Sequence, residues 1–323
     1  MDLKSISEIL LGAKKIGITY HVSPDGDAVG SVLALLQGLR IINKDAYIIS
    51  KDKLSENLNY LPCSHEVTGN ITKPTSDTDV VIVLDCGNLE RVCADLSDFN
   101  GVLLNIDHHI SNDFYGDNNY IDTSAAATAE IVYELLGLLG VCLSTDSEEN
   151  LKVATCLYTS LVTDTGCFRH SNLTDRTLLI ASNLKKIGVN NTYIYQSLFD
   201  NKNFNRVRFI GKAINNMKLV LDEKVALIEL PISFADEFGI EIGDTSDIIS
   251  YGLQIKGVEA TLLIKEVENG VKCSLRSKND VDVRKIAEIF GGGGHTKAAG
   301  IFIKDKSINE AKEILLKEIE KEL

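Results

Sequence analysis

The chain is 323 residues long, which at roughly 150 residues per domain predicts about two domains. Hydrophobic residues make up 44% and charged residues 24%, a globular composition that excludes a disordered or fibrous chain. The 33 Lys and Arg against 46 Asp and Glu leave a net charge of −13, which excludes long duplex nucleic acid held by global electrostatics. Any phosphate ligand must then be met by local cations.

The opening MDLKSISEILLGAKK has no long apolar run or small-residue cleavage site, and no later stretch reaches the ~18 apolar residues of a membrane span. The expectation is a cytoplasmic protein without membrane association. Seven cysteines, an odd number without a C-x-x-C pair, are expected as small buried thiols in a reducing compartment.

In chain order, Lys15 to Tyr20 reads as a strand, Ala28 to Leu39 as a helix, and Ala46 to Ser50, Asp79 to Leu84 and Gly101 to Ile106 as further strands. The runs VVIVL and VLLNI suit strands buried on both faces, and their alternation with helical segments predicts a parallel sheet with helices on both sides. Ala125 to Leu139, Glu149 to Val162 and Asn172 to Ile187 carry helical spacing. The polar text from Gly188 to Asn205 and the helical stretch that runs on to Met217 read as a partly helical linker. KVALIEL, GVEATLLIKEV and VKCSLRS then read as strands, with a hairpin turn at Glu268 to Gly270, and Ser307 to Leu323 as a final helix. The expected fold is α/β: a domain over 1–186 with a mainly parallel sheet flanked by helices, a linker over 187–213, and a smaller α/β domain with a mixed sheet over 214–323.

Four clusters of the first half carry chemistry. HVSPDGDAVGS, His21 to Ser31, follows a strand and opens a helix, placing an imidazole and the carboxylates Asp25 and Asp27 where open α/β sheets bind ligands. Pro-Asp-Gly-Asp is also turn chemistry, with Asp27 as a helix N-cap. Asp85 ends the strand VVIVL, and alone it reads more readily as a cap for the next helix. Asp107-His108-His109 ends VLLNI, so that three of the six histidines lie at two strand ends among several Asp. Asp164 closes a helix in LVTDTGCFRHSNLT. His21, Asp25, Asp27, Asp85, His108 and Asp164 oversupply one octahedral ion and suit two divalent ions about 3.5 to 4 Å apart. Mixed nitrogen and oxygen donors without thiolate favour Mn²⁺.

In order and spacing these four clusters resemble the motifs of the DHH phosphoesterase superfamily. The resemblance implies that His21, Asp25 and Asp85 hold one manganese and that Asp27, Asp85, His108 and Asp164 hold the other, with Asp85 bridging. Asp107 then orients an imidazole, and His109 contacts the scissile phosphate.

In the second half, Phe290-Gly-Gly-Gly-Gly-His295-Thr-Lys-Ala-Ala-Gly300 lets the backbone approach a ligand closely, or is a flexible turn; without a terminal G-K-[ST] it is not a Walker A loop. The segment resembles the DHHA1 domain that follows DHH domains in short-RNA nucleases. That likeness implies a substrate grip by Arg276, Gly292, Gly293, Gly294 and His295, facing the first domain across a cleft that measures length. It counts against family II pyrophosphatases, and 323 residues leave no room for the extra domains of RecJ-type exonucleases.

The expected function is that of nanoRNase A-type enzymes: manganese-dependent hydrolysis of very short oligonucleotides and dinucleotides such as pApA, and dephosphorylation of pAp. Cyclic dinucleotide (c-di-AMP) hydrolysis is the alternative within the family. A non-catalytic metal-dependent nucleotide or RNA-binding module is the alternative outside it, disfavoured because every ligand position is filled. The oligomeric state, a homodimer included, stays open.

Overall fold

The computed structural model describes residues 1–145, 147–243 and 245–323. They form two compact units, Met1–Asn201 and Lys202–Leu323.

The first unit contains β1 (Lys15–Thr19), β2 (Asp45–Ile48), β3 (Val80–Leu84), β4 (Val102–Asp107) and β5 (Asn118–Ile121), all parallel, in the order β2-β1-β3-β4-β5. Around them run α1 (Leu3–Gly12), α2 (Gly26–Ile41), α3 (Thr128–Leu138), α4 (Glu148–Asp164), α5 (Asp175–Ile187) and α6 (Asn191–Phe199). Alternate residues of β3 point to opposite faces, as a period of two requires. Val80, Ile82 and Leu84 join the core that the helices build, whereas Val81 and Val83 pack with Ile49, Cys86, Val92 and Ala94.

That second core corrects the expectation of helices on both sides. Among the described residues no α-helix contributes to it; irregular chain around Leu96, Phe99 and Tyr115 covers the face instead. The short β3-to-β4 connection, with one 3₁₀ turn at Leu89–Arg91, supplies apolar side chains but no amphipathic helical repeat. β5 and α1, not expected from sequence, complete the unit.

α2 is buried along Gly26 to Leu39, lying between the sheet and α4. Gly30 permits that approach, since a Cβ there would stand 2.6 Å from the carbonyl oxygen of Cys156 on α4.

In the second unit, α7 (Phe204–Asn215), α8 (Ile232–Phe238) and α9 (Ser246–Leu253) pack against β7 (Val225–Leu230) and β8 (Ala260–Val267) on one face of a mixed sheet. α10 (Val283–Ile289) and α11 (Ile308–Glu322) cover the other face. With β6 (Lys218–Val220), β9 (Gly270–Ser277), β10 (Gly293–His295) and β11 (Ala298–Lys304) the order is β10-β11-β9-β8-β7-β6, and only the β7–β8 pair is parallel. Residues 187–213 divide between the units: Ile194 and Leu198 of α6 enter the first core, Phe209, Ile210 and Ala213 of α7 the second. No described helix is long and apolar enough to cross a membrane. All seven cysteines are free thiols; Cys142 is exposed rather than buried, and Cys63 and Cys167 are half-buried.

Gly30→Ala tests the contact between α2 and α4. A methyl group forced against a helix backbone is expected to lower unfolding stability by about 1–3 kcal/mol, read from the urea midpoint.

Candidate metal centre

The chain proceeds from β1 outward to β2 and then returns to place β3 on the other side of β1, so the β1/β3 junction is a topological switch point, where a crevice opens at the carboxyl ends of the strands. The chemistry-bearing clusters converge there. His21 follows β1 and is tied by a backbone bridge to Val92. Asp25 caps α2, accepting the N–H groups of Asp27 and Ala28 at 3.0 and 3.1 Å, so the capping role considered for Asp27 belongs to Asp25. Asp27 is left to face inward from the first turn of α2. Asp85 follows β3, His108 and His109 follow β4, and Asp164 is the last residue of α4.

Two imidazoles have a prescribed tautomer. Nδ1 of His21 lies 2.9 Å from the carbonyl oxygen of Val22, and Nδ1 of His108 lies 3.1 Å from that of Ala125. A carbonyl only accepts, so each Nδ1 carries a proton, and Nε2 is the nitrogen whose proton a bound cation would replace. Nε2 of His21 stands 3.9 Å from Oδ1 of Asp25 and 3.6 Å from Oδ2 of Asp85. Nε2 of His108 stands 3.8 Å from Oδ2 of Asp27, 3.6 Å from Oδ1 of Asp85 and 3.4 Å from Oδ2 of Asp164. These separations exceed a hydrogen bond. They lie close to the roughly 3.0–3.4 Å between neighbouring donors that share one ion at about 2.1 Å.

The donors thus form two groups, His21–Asp25–Asp85 and Asp27–Asp85–His108, with Asp164 beside the second. Oδ2 of Asp85 faces His21, and Oδ1 faces His108 and, at 3.7 Å, Nδ1 of His109. Like charges crowd the space: burial and the neighbouring carboxylates hold the Asp27 and Asp164 carboxyls above the usual range. Burial alone would raise Asp85 as well, yet the surrounding imidazoles hold it below its ordinary value. Burial opposes charge on His21, but Asp85 and Asp25 raise it to about 9. An acidic, imidazole-bearing donor set of this kind fits divalent cations, which relieve the repulsion.

Asp107 and His109 are differently engaged. They fall with Asp85 into a third cluster of potential donors. Oδ1 of Asp107, however, accepts Nδ1–H of His109 at 2.6 Å and the backbone N–H of His108 at 2.8 Å, and its Oδ2 accepts Nδ2–H of Asn112 at 2.7 Å. Burial opposes the charge of His109, but the hydrogen bond to Asp107 and the nearby Asp85 raise it to about 8.

Several supporting residues were not anticipated. Asp27 accepts from the hydroxyls of Ser31 and Ser160 and from the backbone N–H groups of Thr128 and Ala129, so it caps α3, whose own N-cap, Ala127, has no side-chain acceptor. The Thr128 hydroxyl donates to Oδ1 of Asp85 at 3.0 Å. Polar residues at fully buried helix positions were the available sign.

A family model for the DHH family, N-terminal domain, matches residues 15–161, and one for the DHHA1 domain matches residues 222–323. The bifunctional oligoribonuclease and PAP phosphatase NrnA of Thermus thermophilus is 32% identical over 326 residues, covering 99% of this chain and 94% of the relative. This chain belongs to the DHH/DHHA1 phosphoesterase family. The NrnA of Bacillus subtilis is 30% identical over 300 residues, covering 91% of this chain and 90% of that one. A crystal structure of an exopolyphosphatase-related protein from Bacteroides fragilis has a TM-score of 0.89 at 28% identity, covering 99% of this chain and 95% of that chain. In this DHH/DHHA1 chain, Asp164 lies just beyond the matched DHH segment, and its distance to His108 is what joins it to the centre.

The two adjacent histidines should separate experimentally. His108→Ala removes an Nε2 donor and is expected to lower bound divalent metal; His109→Ala is expected to keep the metal and lose rate. Metal stoichiometry measured beside turnover checks this, and equal metal loss in both variants would contradict the geometry.

Proposed function

We propose that this chain is a manganese-dependent phosphoesterase that hydrolyses very short oligonucleotides and dinucleotides such as pApA to mononucleotides and converts pAp to AMP. The observation that carries this reading is the shared carboxylate of Asp85, with one oxygen toward His21 and the other toward His108, in a chain about 30% identical to NrnA over nearly its whole length. His21, Asp25 and Asp85 would hold one divalent ion, and Asp27, Asp85, His108 and Asp164 the other. Bound there, such ions supply charge neutralisation on the phosphoryl oxygens and activation of water.

The chain's own residues do the rest. His109, with Nδ1–H committed to Asp107, presents the Nε2 edge of a cationic ring to the scissile phosphate, a contact that strengthens as charge develops. Asp107 holds that ring in orientation and favours its protonated form.

Substrate selection belongs to the second unit. The register pairs His295 with Ala298, Ala298 with Arg276, and Arg276 with Thr261, so His295 and Arg276 share one face of the sheet with the Ala298 methyl between them. The alternate residues Ala299, Leu275 and Leu262 point into the core. An imidazole and a guanidinium on that face suit a terminal phosphate or a base edge.

The glycines have distinct reasons. A Cβ at Gly292 would collide with the carbonyl oxygen of Gly300, and one at Gly294, where φ is +143°, with that of Ala298; the β10–β11 hairpin itself demands both. Gly293 is exposed, with nothing within 4 Å of its absent Cβ, so the hairpin itself does not demand it, and its backbone is open to a ligand.

The deciding assay sets purified protein with Mn²⁺ against pAp, pApA, RNA of two to about twenty nucleotides, c-di-AMP and pyrophosphate. AMP release from pAp and pApA, abolished by chelator and by Asp85→Ala, is expected. Preference for pyrophosphate or c-di-AMP, or no turnover at all, would overturn the proposal. Arg276→Ala and His295→Ala should each lower kcat/KM on dinucleotides about ten- to a hundredfold. Gly293→Ala should fold normally and raise KM.

A further inference from the structure

We propose that Asn112 is a positioning residue that fixes the Asp107–His109 pair for phosphoester hydrolysis, an inference that rests on the phosphoesterase reading above. Asn112 is buried three residues after His109, in the loop that leaves β4. Its Nδ2 donates to Oδ2 of Asp107 at 2.7 Å and to Oδ1 of Asn105 at 2.8 Å, while its Oδ1 accepts the backbone N–H of Phe114 at 2.8 Å. These partners decide which way the amide faces. Turned over, it would set an NH₂ against the Phe114 N–H and an oxygen against a carboxylate.

From the other side, Asp107 is engaged by the His108 N–H and the His109 ring. With Asn112 on its second oxygen the carboxylate is held at three points. Rotating it away from His109 would also withdraw Oδ2 from a buried N–H of Asn112, and losing a partner away from water is costly. The buttress continues behind Asn112. Nδ2 of Asn105 donates to the Tyr115 hydroxyl at 3.0 Å and to the carbonyl of Cys86 at 3.2 Å, and the Tyr115 hydroxyl donates to that same carbonyl at 2.9 Å. Cys86 directly follows Asp85, so the network that steadies Asp107 is anchored to the strand end that carries the shared carboxylate.

The loop accepts strain to make this connection. Phe114 has φ of +54°, a left-handed conformation that bulky residues rarely adopt, and its ring is exposed, so packing of the side chain does not account for it. The conformation serves the N–H that meets Asn112. A hydrogen-bonding residue that acts by placing another group should affect the chemical step, where misplacement of about 1 Å costs on the order of a hundredfold, more than it affects substrate or metal binding.

The test uses the full chain as Asn112→Ala, Asn112→Ser, His109→Ala and the Asn112→Ala/His109→Ala double variant. With Mn²⁺ and pAp, Asn112→Ala is expected to lower kcat about ten- to a hundredfold with KM changed less than about threefold and bound manganese unchanged. Asn112→Ser, which restores one donor, should recover part of the loss. In the His109→Ala background, Asn112→Ala should lower the residual kcat no further. In Mg²⁺-loaded protein, a downfield proton resonance from the short His109–Asp107 hydrogen bond should be present in wild type, perturbed in Asn112→Ala and absent in His109→Ala. Unchanged kcat, additive effects in the cycle, or loss of manganese from Asn112→Ala would overturn the proposal. Should Asn112→Ala not fold, Asn112→Ser and its resonance decide. If the wild type hydrolyses no phosphoester, the functional reading fails, while the resonance still reports whether Asn112 holds the pair.

Discussion

At the end of β3 the backbone of Asp85 turns through a left-handed conformation, φ +55°, and the centre is arranged around the two carboxylate oxygens that this turn directs to opposite sides. For a non-glycine residue that conformation costs about 1–2 kcal/mol. It persists because its surroundings over-determine it. The Asp85 N–H donates to the carbonyl of Ile106 on β4, the Thr128 hydroxyl fixes Oδ1, and the preceding strand is buried on both faces. A carboxylate on a flexible loop would reach either histidine in turn; one anchored this way faces both at once.

The topology gives the same point its neighbours. Because strand order reverses between β1 and β3, the loops leaving these two strands diverge and leave a crevice, and the N-termini of α2 and α3 meet at it. Both helix ends favour negative charge, and each is capped by a carboxylate of the cluster, α2 by Asp25 and α3 by Asp27. Asp27 in particular does two things: it completes the first turn of a helix remote in sequence and keeps Oδ2 within 3.8 Å of His108. Helix packing and donor placement are therefore one arrangement, which is why Ser31, Ser160 and Thr128 lie fully buried without being misplaced polar groups.

Much of this was legible in the sequence, for identifiable reasons. VVIVL and VLLNI announce buried strands, and acidic and imidazole side chains at their carboxyl ends have few structural uses once several such ends must converge. The cap assignment was not legible, because Asp25 and Asp27 are both good caps and only the start of α2 at Gly26 chooses between them. NNYI, half-buried throughout, lacks the apolar alternation that marks a strand, so β5 was missed. The helices of the first unit gather on one face because the β3-to-β4 connection is too irregular to form one, and periodicity in the remaining segments does not report which face they cover. In GGGGH, a run that reads as a flexible turn folds as an edge hairpin, since backbone pairing with β11 needs no side-chain signal.

Electrostatics joins these observations to the kind of substrate proposed. A chain of net charge −13 repels a long polyanion, and its centre adds a dense carboxylate cluster. Under the function proposed, what draws a phosphate in would have to act over a few ångströms: divalent ions and the His109 ring held by Asp107 in the first unit, and the guanidinium of Arg276 in the second. The same electrostatics supports the proposed preference for very short substrates. It also explains why neutral Asn112 is the suitable partner for Asp107: a cation in its place would compete with His109 for the carboxylate, and an anion would displace it.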